Sequence, residues 1–280
     1  MFVCSDSKTT SWLIVADATY NDAVTVPRQL DPTERFTSRV EEYVRGRPSY
    51  PSEIVRLLAN ECSLTATSGI ADVGSGTGLL SELFLKAGYS VACVEPNTAM
   101  RAAADGHLSR FPAFVSVAGR AEATGLPDAS VDLITAAQAF HWFDPDTTRQ
   151  EFFRVLRPPR WVALIWNERH AASSLFIREY DRLVANHAIE RQIIDHNCIR
   201  TESIPNFFGN NHWKFATLLH IESMDWHRLR ARLLSTSRMP SAGQSGFRPM
   251  LDELRKLYRK HQVDDRVSFP YMTHVYFGTI

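Results

Sequence analysis

The sequence predicts an α/β protein with a mostly parallel β-sheet and helices on both of its faces. Two short apolar runs bounded by turn residues flank a segment whose apolar residues recur with helical spacing, all between residues 69 and 95. Strand, helix and strand in one sheet require a parallel pair and a crossover connection. Similar apolar runs alternate with helical segments up to the C-terminus. A chain of 280 residues that is 44% apolar buries a core large enough for one such domain.

Composition limits the classes of partner. The 31 basic and 31 acidic residues balance, which argues against nucleic acid as an obligate partner. No apolar run approaches the roughly 18 residues of a membrane helix, and the run Trp12 to Ala16 is too short for a signal peptide. The four cysteines are widely spaced without a CxxC pair, and Cys93 falls in a predicted strand. We expect a cytoplasmic protein with no metal, nucleic acid or membrane partner.

The N-terminal part divides into a leader and the start of the domain. Residues 1–33 show no sustained period and are expected to be a leader, either poorly ordered or folded as a cap; the domain takes residues 34–280. The segment from Arg35 predicts a helix that ends near Gly46 and a second helix from Ser52. Spacing of four residues places three polar side chains on one edge of the first helix: Arg39, Tyr43 and Arg47.

The segment from Gly69 to Glu95 contains the main motif. A strand, Ile70 to Val73, leads into a turn with Gly74, Gly76 and Gly78; a helix, Gly88 and a second strand, Val91 to Val94, follow. Glycine allows the backbone to turn tightly and to approach a ligand, and the next helix directs its free N–H groups at that ligand.

Two carboxylates indicate the ligand. Glu95 follows the second strand, 21 residues after Gly74, where a carboxylate accepts hydrogen bonds from both hydroxyls of a ribose. The glycine spacing is G-x-G-x-G rather than the G-x-G-x-x-G of dinucleotide sites, and Asp72 precedes the first glycine by two residues. A carboxylate there disfavours phosphate and favours a cationic sulfonium or amino group.

This combination resembles motif I of the class I S-adenosylmethionine-dependent methyltransferases. The resemblance implies S-adenosyl-L-methionine as cofactor and a Rossmann-like seven-stranded sheet, mostly parallel with an antiparallel last strand. An NAD-dependent oxidoreductase is disfavoured by the glycine spacing, by Asp72 and by the lack of a Tyr-x-x-x-Lys pair. A methyltransferase-like protein that binds without turnover remains an alternative.

The resemblance also assigns cofactor contacts outside the glycine turn. The pattern R…Y…RPxYP places Tyr43 and Arg47 at the methionine end, where an arginine binds a carboxylate through two hydrogen bonds; the alternative is a solvated surface helix. Asn97 and Met100 follow Glu95 and are expected to flank the adenine.

The adenine side departs from the family pattern. After a third strand, Ala113 to Ala118, Arg120 stands where relatives carry an aspartate, and arginine cannot accept a hydrogen bond. The backbone of Ala121, with Glu122 nearby, is then the expected adenine contact.

The loop after the fourth strand, Val131 to Ala136, is expected to face the reactive methyl, because ligands bind at the carboxyl ends of parallel strands. It begins with Gln138, a predicted cofactor contact. Its form QAxHWF is similar to the small-molecule group that includes trans-aconitate methyltransferase, and it lacks the N/D-P-P-Y/F motif of DNA amino-methyltransferases. His141 is the candidate catalytic residue, as a general base, a hydrogen-bonding anchor or a core histidine.

The C-terminal half predicts the remaining elements. Apolar patterns indicate a fifth strand from Trp161 to Trp166, a sixth from Phe215 to Ile221 and a last one from Val267 to Phe277, the last two antiparallel. A helix from Asp225 is expected to turn its arginines outward: Arg228, Arg230 and Arg232. Segments 170–213 and 223–262 are candidate substrate caps. The resemblance implies a small-molecule acceptor with a carboxylate, hydroxyl or amine nucleophile and a monomeric or homodimeric enzyme.

Overall fold

A computed structural model describes residues 45–170, 174–189, 202–209, 212–236 and 238–280. The predicted leader, residues 1–33, lies outside the described residues. So do Arg39 and Tyr43, and so does part of the predicted cap 170–213.

The sheet has seven strands in the order β3-β2-β1-β4-β5-β7-β6. Strands β1 to β5 pair in parallel, whereas β7 is antiparallel to both β5 and β6. The predicted fold class is therefore confirmed. The strands are β1 (Gly69–Val73), β2 (Ser90–Val94), β3 (Phe114–Val117), β4 (Val131–Ala137), β5 (Leu156–Arg169), β6 (Trp213–Met224) and β7 (Val267–Thr279).

Eight α-helices in the described residues surround the sheet. They are α1 (Glu53–Glu61), α2 (Leu79–Lys86), α3 (Thr98–Leu108), α4 (Pro145–Val155), α5 (Leu175–His187), α6 (Ile204–Phe208), α7 (Trp226–Leu234) and α8 (Phe247–His261). Side-chain oxygens begin several of them: Asn97 Oδ1 accepts the Met100 N–H at 2.9 Å, and Asp225 Oδ1 accepts the Arg228 N–H at 2.8 Å. No helix in the described ranges is long and apolar enough to cross a membrane.

The core has three clusters because the sheet buries both faces and the C-terminal helices pack together. One face packs Ile54, Phe84 and Leu108 of α1, α2 and α3, and the other packs Phe152 of α4 and Phe207 of α6. The third cluster joins α5, α7 and α8 to the start of β7. Apolar burial of this extent is the main stabilising contribution to such a fold.

Helix α7 differs from the sequence prediction at one residue. Arg230 is exposed, but Arg232 is only 7% exposed and lies beside Tyr271 of β7, so the prediction that it faces solvent is wrong. Arg232 follows the buried Leu229 by three residues, which places it at the margin of the buried face of the helix. Helix packing against the antiparallel strand β7 covers that margin.

Candidate cofactor site

A cavity that is partly open to solvent lies at the carboxyl ends of β1 and β4. Strands β1 and β4 are neighbours in the sheet. The chain adds β2 and β3 on the side of β1 and adds β5 on the side of β4, so the strand order reverses between them. Open α/β sheets bind ligands at such a switch point. Five of the predicted site residues line the cavity: Arg47, Asp72, Gly74, Gly76 and Gln138.

The glycine turn is anchored to the second strand. The N–H groups of Gly74 and Ser75 donate to the carbonyl of Val94 at 2.8 and 3.2 Å. The Gly76 N–H donates to Glu95 Oε2 at 2.9 Å. Gly78 precedes α2, so the helix begins directly at the cavity. These hydrogen bonds hold one side of the turn against the end of β2, and the turn lines the cavity with its other side.

Asp72 is a buried carboxylate in the cavity wall. It is 1% exposed and accepts hydrogen bonds from Ser81 Oγ at 2.6 Å and from Thr135 Oγ1 at 2.9 Å. Burial raises the pKa of Asp72 to about 6, and the two hydroxyls offset only part of that shift. A cation placed in the cavity would stabilise the ionised form, which is the electrostatic match for a sulfonium or ammonium group.

The raised pKa predicts a pH-dependent stability. The folded pKa of about 6 lies above the ordinary value of 3.8, so the folded protein binds this proton more tightly than the unfolded chain. The contribution is present below pH 4 and is lost as the pH rises to 6. We expect the free energy of unfolding of wild type, relative to Asp72→Asn, to fall by up to about 3 kcal/mol across this window. Urea unfolding of both proteins from pH 4 to pH 7.5 measures it; a difference that does not change with pH would contradict the assignment.

Glu95 lies behind the glycine turn and is 8% exposed. Its two carboxylate oxygens each accept a backbone N–H, from Gly76 and from Asn97, both at 2.9 Å. Burial raises its pKa, and these two amides lower it in part. Each oxygen retains a second lone pair for a hydroxyl donor. Asn97 caps α3 and Met100 is buried behind it, so both are part of the loop framework.

The loop after β3 is closed by its own backbone. Arg120 and Ala123 exchange N–H···O bonds of 3.1 Å in both directions, and between them Ala121 is 3% exposed. Glu122 Oε1 accepts the Asp144 N–H at 2.9 Å, which ties this loop to the start of α4. The adenine contacts of Ala121 and Glu122 stay a prediction.

At the end of β4, Gln138 rather than His141 borders the cavity. Gln138 has φ +55° and donates from Nε2 to the carbonyl of Asn167 at 2.8 Å. His141 is half-buried in a 3₁₀ turn, Phe140–Trp142, with its ring 5.0 Å from that of Trp142. It is not among the described residues that line the cavity. Its role as base, anchor or core residue stays a prediction.

Two arginines from distant parts of the chain meet at this cavity. Arg47 Nη2 lies 3.4 Å from the carbonyl oxygen of Ser235, at the end of α7, and Arg232 of α7 is the second arginine in the lining. Neither Arg232 nor Asn167 is among the site residues that the sequence predicts. Asn167 Nδ2 donates to the Ser49 carbonyl at 2.9 Å. The signal for Arg232 was its spacing from Leu229; no local pattern indicates Asn167.

Known proteins that are similar to this chain are described as methyltransferases. A family model described as a methyltransferase domain matches residues 71–164. An uncharacterized methyltransferase of Mycobacterium tuberculosis is 39% identical over 139 residues, 50% of this chain and 54% of that protein, so the chain spans about half the length of this relative. An uncharacterized methyltransferase of Schizosaccharomyces pombe is 29% identical over 251 residues, 86% of this chain and 95% of that protein.

A solved methyltransferase structure from Anaeromyxobacter dehalogenans has the same fold. It superposes with a TM-score of 0.60 at 24% identity and covers 83% of this chain and 97% of its own. Four observations are consistent with one kind of domain: the fold, the glycine turn at the switch point, the buried Asp72 and the family match. Residues 71–164 therefore match a methyltransferase domain, and the chain has the fold of the class I S-adenosylmethionine-dependent methyltransferases.

Proposed function

We propose that this chain transfers a methyl group from S-adenosylmethionine to a carboxylate, hydroxyl or amine of a small molecule. The observation that carries the proposal is the cavity at the ends of β1 and β4. There a glycine turn, a buried carboxylate and an arginine surround one space. The bound cofactor would supply an electrophilic methyl on a sulfonium.

We assign each part of the cofactor to residues around the cavity according to their charge. Asp72 faces the cationic part of the cofactor, and Arg47, with Tyr43, takes the methionine carboxylate. Glu95 accepts the ribose hydroxyls with the lone pairs that Gly76 and Asn97 leave free. Four residues take the adenine: Asn97, Met100, Ala121 and Glu122. Gln138, fixed by Asn167, bounds the methyl end.

Methyl transfer from a sulfonium is an in-line displacement with a neutral thioether as leaving group. No acid is needed for that group, so alignment of the nucleophile supplies much of the rate. A base is required only for a hydroxyl or amine nucleophile. His141, at the end of β4, is the proposed base or anchor for the acceptor.

We expect His141→Gln to reduce turnover by at least a hundredfold and to leave the dissociation constant for S-adenosylhomocysteine unchanged, because a positioned base contributes 10²- to 10⁴-fold. Glutamine keeps hydrogen-bonding capacity but cannot accept the proton. Single-turnover rates on an identified acceptor, together with calorimetry, measure the two effects. Retained turnover would make His141 an anchor or a core residue.

Small-molecule substrates fit the remaining observations. The chain has no net charge, which does not favour a polyanionic acceptor such as nucleic acid. The motif QAxHWF resembles that of the small-molecule group. Helices α5, α7 and α8, in segments 170–213 and 223–262, are the proposed cap over the acceptor. We also propose a cytoplasmic monomer or homodimer.

Calorimetric titration of the full chain with S-adenosylhomocysteine, with NAD as control, tests the proposal. We expect micromolar binding of the thioether and none of NAD. Binding of NAD would favour the oxidoreductase alternative. Binding of neither would identify a methyltransferase-like protein that has lost its cofactor, and Arg120 would be the first residue to revert to aspartate.

A further inference from the structure

We propose that Arg232 binds a carboxylate of the methyl acceptor and so selects acidic substrates. The inference rests on the proposed methyl transfer and adds the chemical class of the acceptor. Arg232 is a charged side chain in the cavity wall, yet it is 7% exposed. Fully buried arginines are rare unless they are paired.

The hydrogen bonds of Arg232 all go to neutral acceptors. Its Nε donates to the Tyr271 hydroxyl at 3.0 Å, and Nη1 lies 3.5 Å from Ser235 Oγ and 3.4 Å from Thr236 Oγ1. Nη2 forms no hydrogen bond within the described residues. The guanidinium is therefore oriented by three hydroxyls and retains donor capacity.

No described carboxylate lies within 4.0 Å of this guanidinium. Glu222 is the carboxylate whose charge acts on Arg232, but its Oε1 is already bound by the Ser49 N–H at 2.8 Å and by Arg228 Nη2 at 2.9 Å. A buried guanidinium whose direct hydrogen bonds reach only neutral groups is costly, and an anion that binds to it directly recovers part of that cost. The unpaired donor of Arg232 belongs to the wall of a ligand cavity. A carboxylate of the ligand is therefore the partner that suits it.

The charge of the cofactor assigns this carboxylate to the acceptor. S-adenosylmethionine carries one carboxylate, an ammonium and a sulfonium. Once Arg47 holds that carboxylate, Arg232 and the two cofactor cations carry three positive charges. Two protein carboxylates face them, Asp72 in the cavity wall and Glu95 behind the glycine turn. An anionic acceptor balances this surplus, whereas a neutral or cationic one leaves Arg232 unpaired.

The test uses the full chain saturated with S-adenosylhomocysteine, titrated calorimetrically with citrate, succinate, succinamide and inorganic phosphate. We expect a carboxylate to bind, succinamide not to bind, and Arg232→Gln to weaken carboxylate binding by about tenfold to a hundredfold, as the loss of charged hydrogen bonds implies. Arg232→Lys should retain part of the affinity. Arg230→Gln, which removes an exposed charge from the same helix, is the matched control and should change nothing.

Cofactor affinity separates this proposal from the one it rests on. Arg232→Gln should leave the dissociation constant for S-adenosylhomocysteine within about threefold of wild type, whereas Arg47→Gln should raise it at least tenfold. Equal weakening by both variants would mean that the two arginines share the cofactor carboxylate, and would overturn the inference. So would binding of phosphate alone, or of no anion, to a chain that binds the thioether. A chain that does not bind the thioether fails the proposed function instead.

Discussion

Glu95→Ala is expected to weaken the binding of S-adenosylhomocysteine by about tenfold to a hundredfold. The loss of charged hydrogen bonds to the ribose hydroxyls costs about 1.5–3 kcal/mol in total, which corresponds to this range of dissociation constants. The substitution also removes the acceptors of the Gly76 and Asn97 N–H groups, so the glycine turn loses one of its hydrogen bonds, while those to the Val94 carbonyl remain. Calorimetry gives the dissociation constant, and an unchanged value would end the ribose assignment.

A change in the ligand separates the ribose contact from the shape of the turn. If Glu95 accepts the ribose hydroxyls, 2′-deoxyadenosine should bind wild type more weakly than adenosine does, and Glu95→Ala should bind the two equally. If Glu95 acts only on the turn, the deoxy penalty will be the same in both proteins. Glu95→Gln, which keeps one acceptor oxygen, should lie between wild type and alanine.

Gly78→Ala is expected to lower the free energy of unfolding by about 2–4 kcal/mol. Gly78 has φ +80°, and a Cβ there would lie 2.4 Å from Leu108 Cδ1, in a side chain that is fully buried. The left-handed backbone costs about 1–2 kcal/mol for an L-residue and the overpacking about 1–3. Chemical unfolding of the chain without cofactor measures the loss.

Gly76→Ala is the matched control in the same turn. Gly76 has φ +57°, but its Cβ would meet nothing within 4 Å. We expect a stability loss of about 1–2 kcal/mol, from the backbone alone, with cofactor affinity lowered at least tenfold because the methyl group enters the cavity. An equal loss of stability in the two variants would contradict the distinction between a packing glycine and a ligand-facing one.

The local patterns of the sequence predicted most of the fold. Strands β1, β2 and β4, the glycine turn and the position of Glu95 follow from apolar periodicity and glycine spacing, which are properties of consecutive residues. The burial of Cys93 in β2 is confirmed for the same reason. Family resemblance then identified the cofactor that belongs with this pattern.

Tertiary structure alone placed Arg232 in the cavity. Its spacing of three residues from Leu229 puts it at the margin of the buried face of α7, where the sequence alone does not decide between solvent and core. Whether a residue at the margin of an amphipathic face is buried depends on what packs against it, and here that is Tyr271 of the antiparallel strand β7.

Two hydrogen bonds of residues that line the cavity also join segments that are far apart in the sequence. Arg47 and Ser235 are 188 residues apart, and Asn167 and Ser49 are 118 apart. Such contacts depend on strand order and register, which no stretch of consecutive residues encodes. The sequence by itself therefore determined the strand–glycine turn–helix segment with Asp72 and Glu95. The packing of the C-terminal helices on β7 decided that Arg232 lines the cavity.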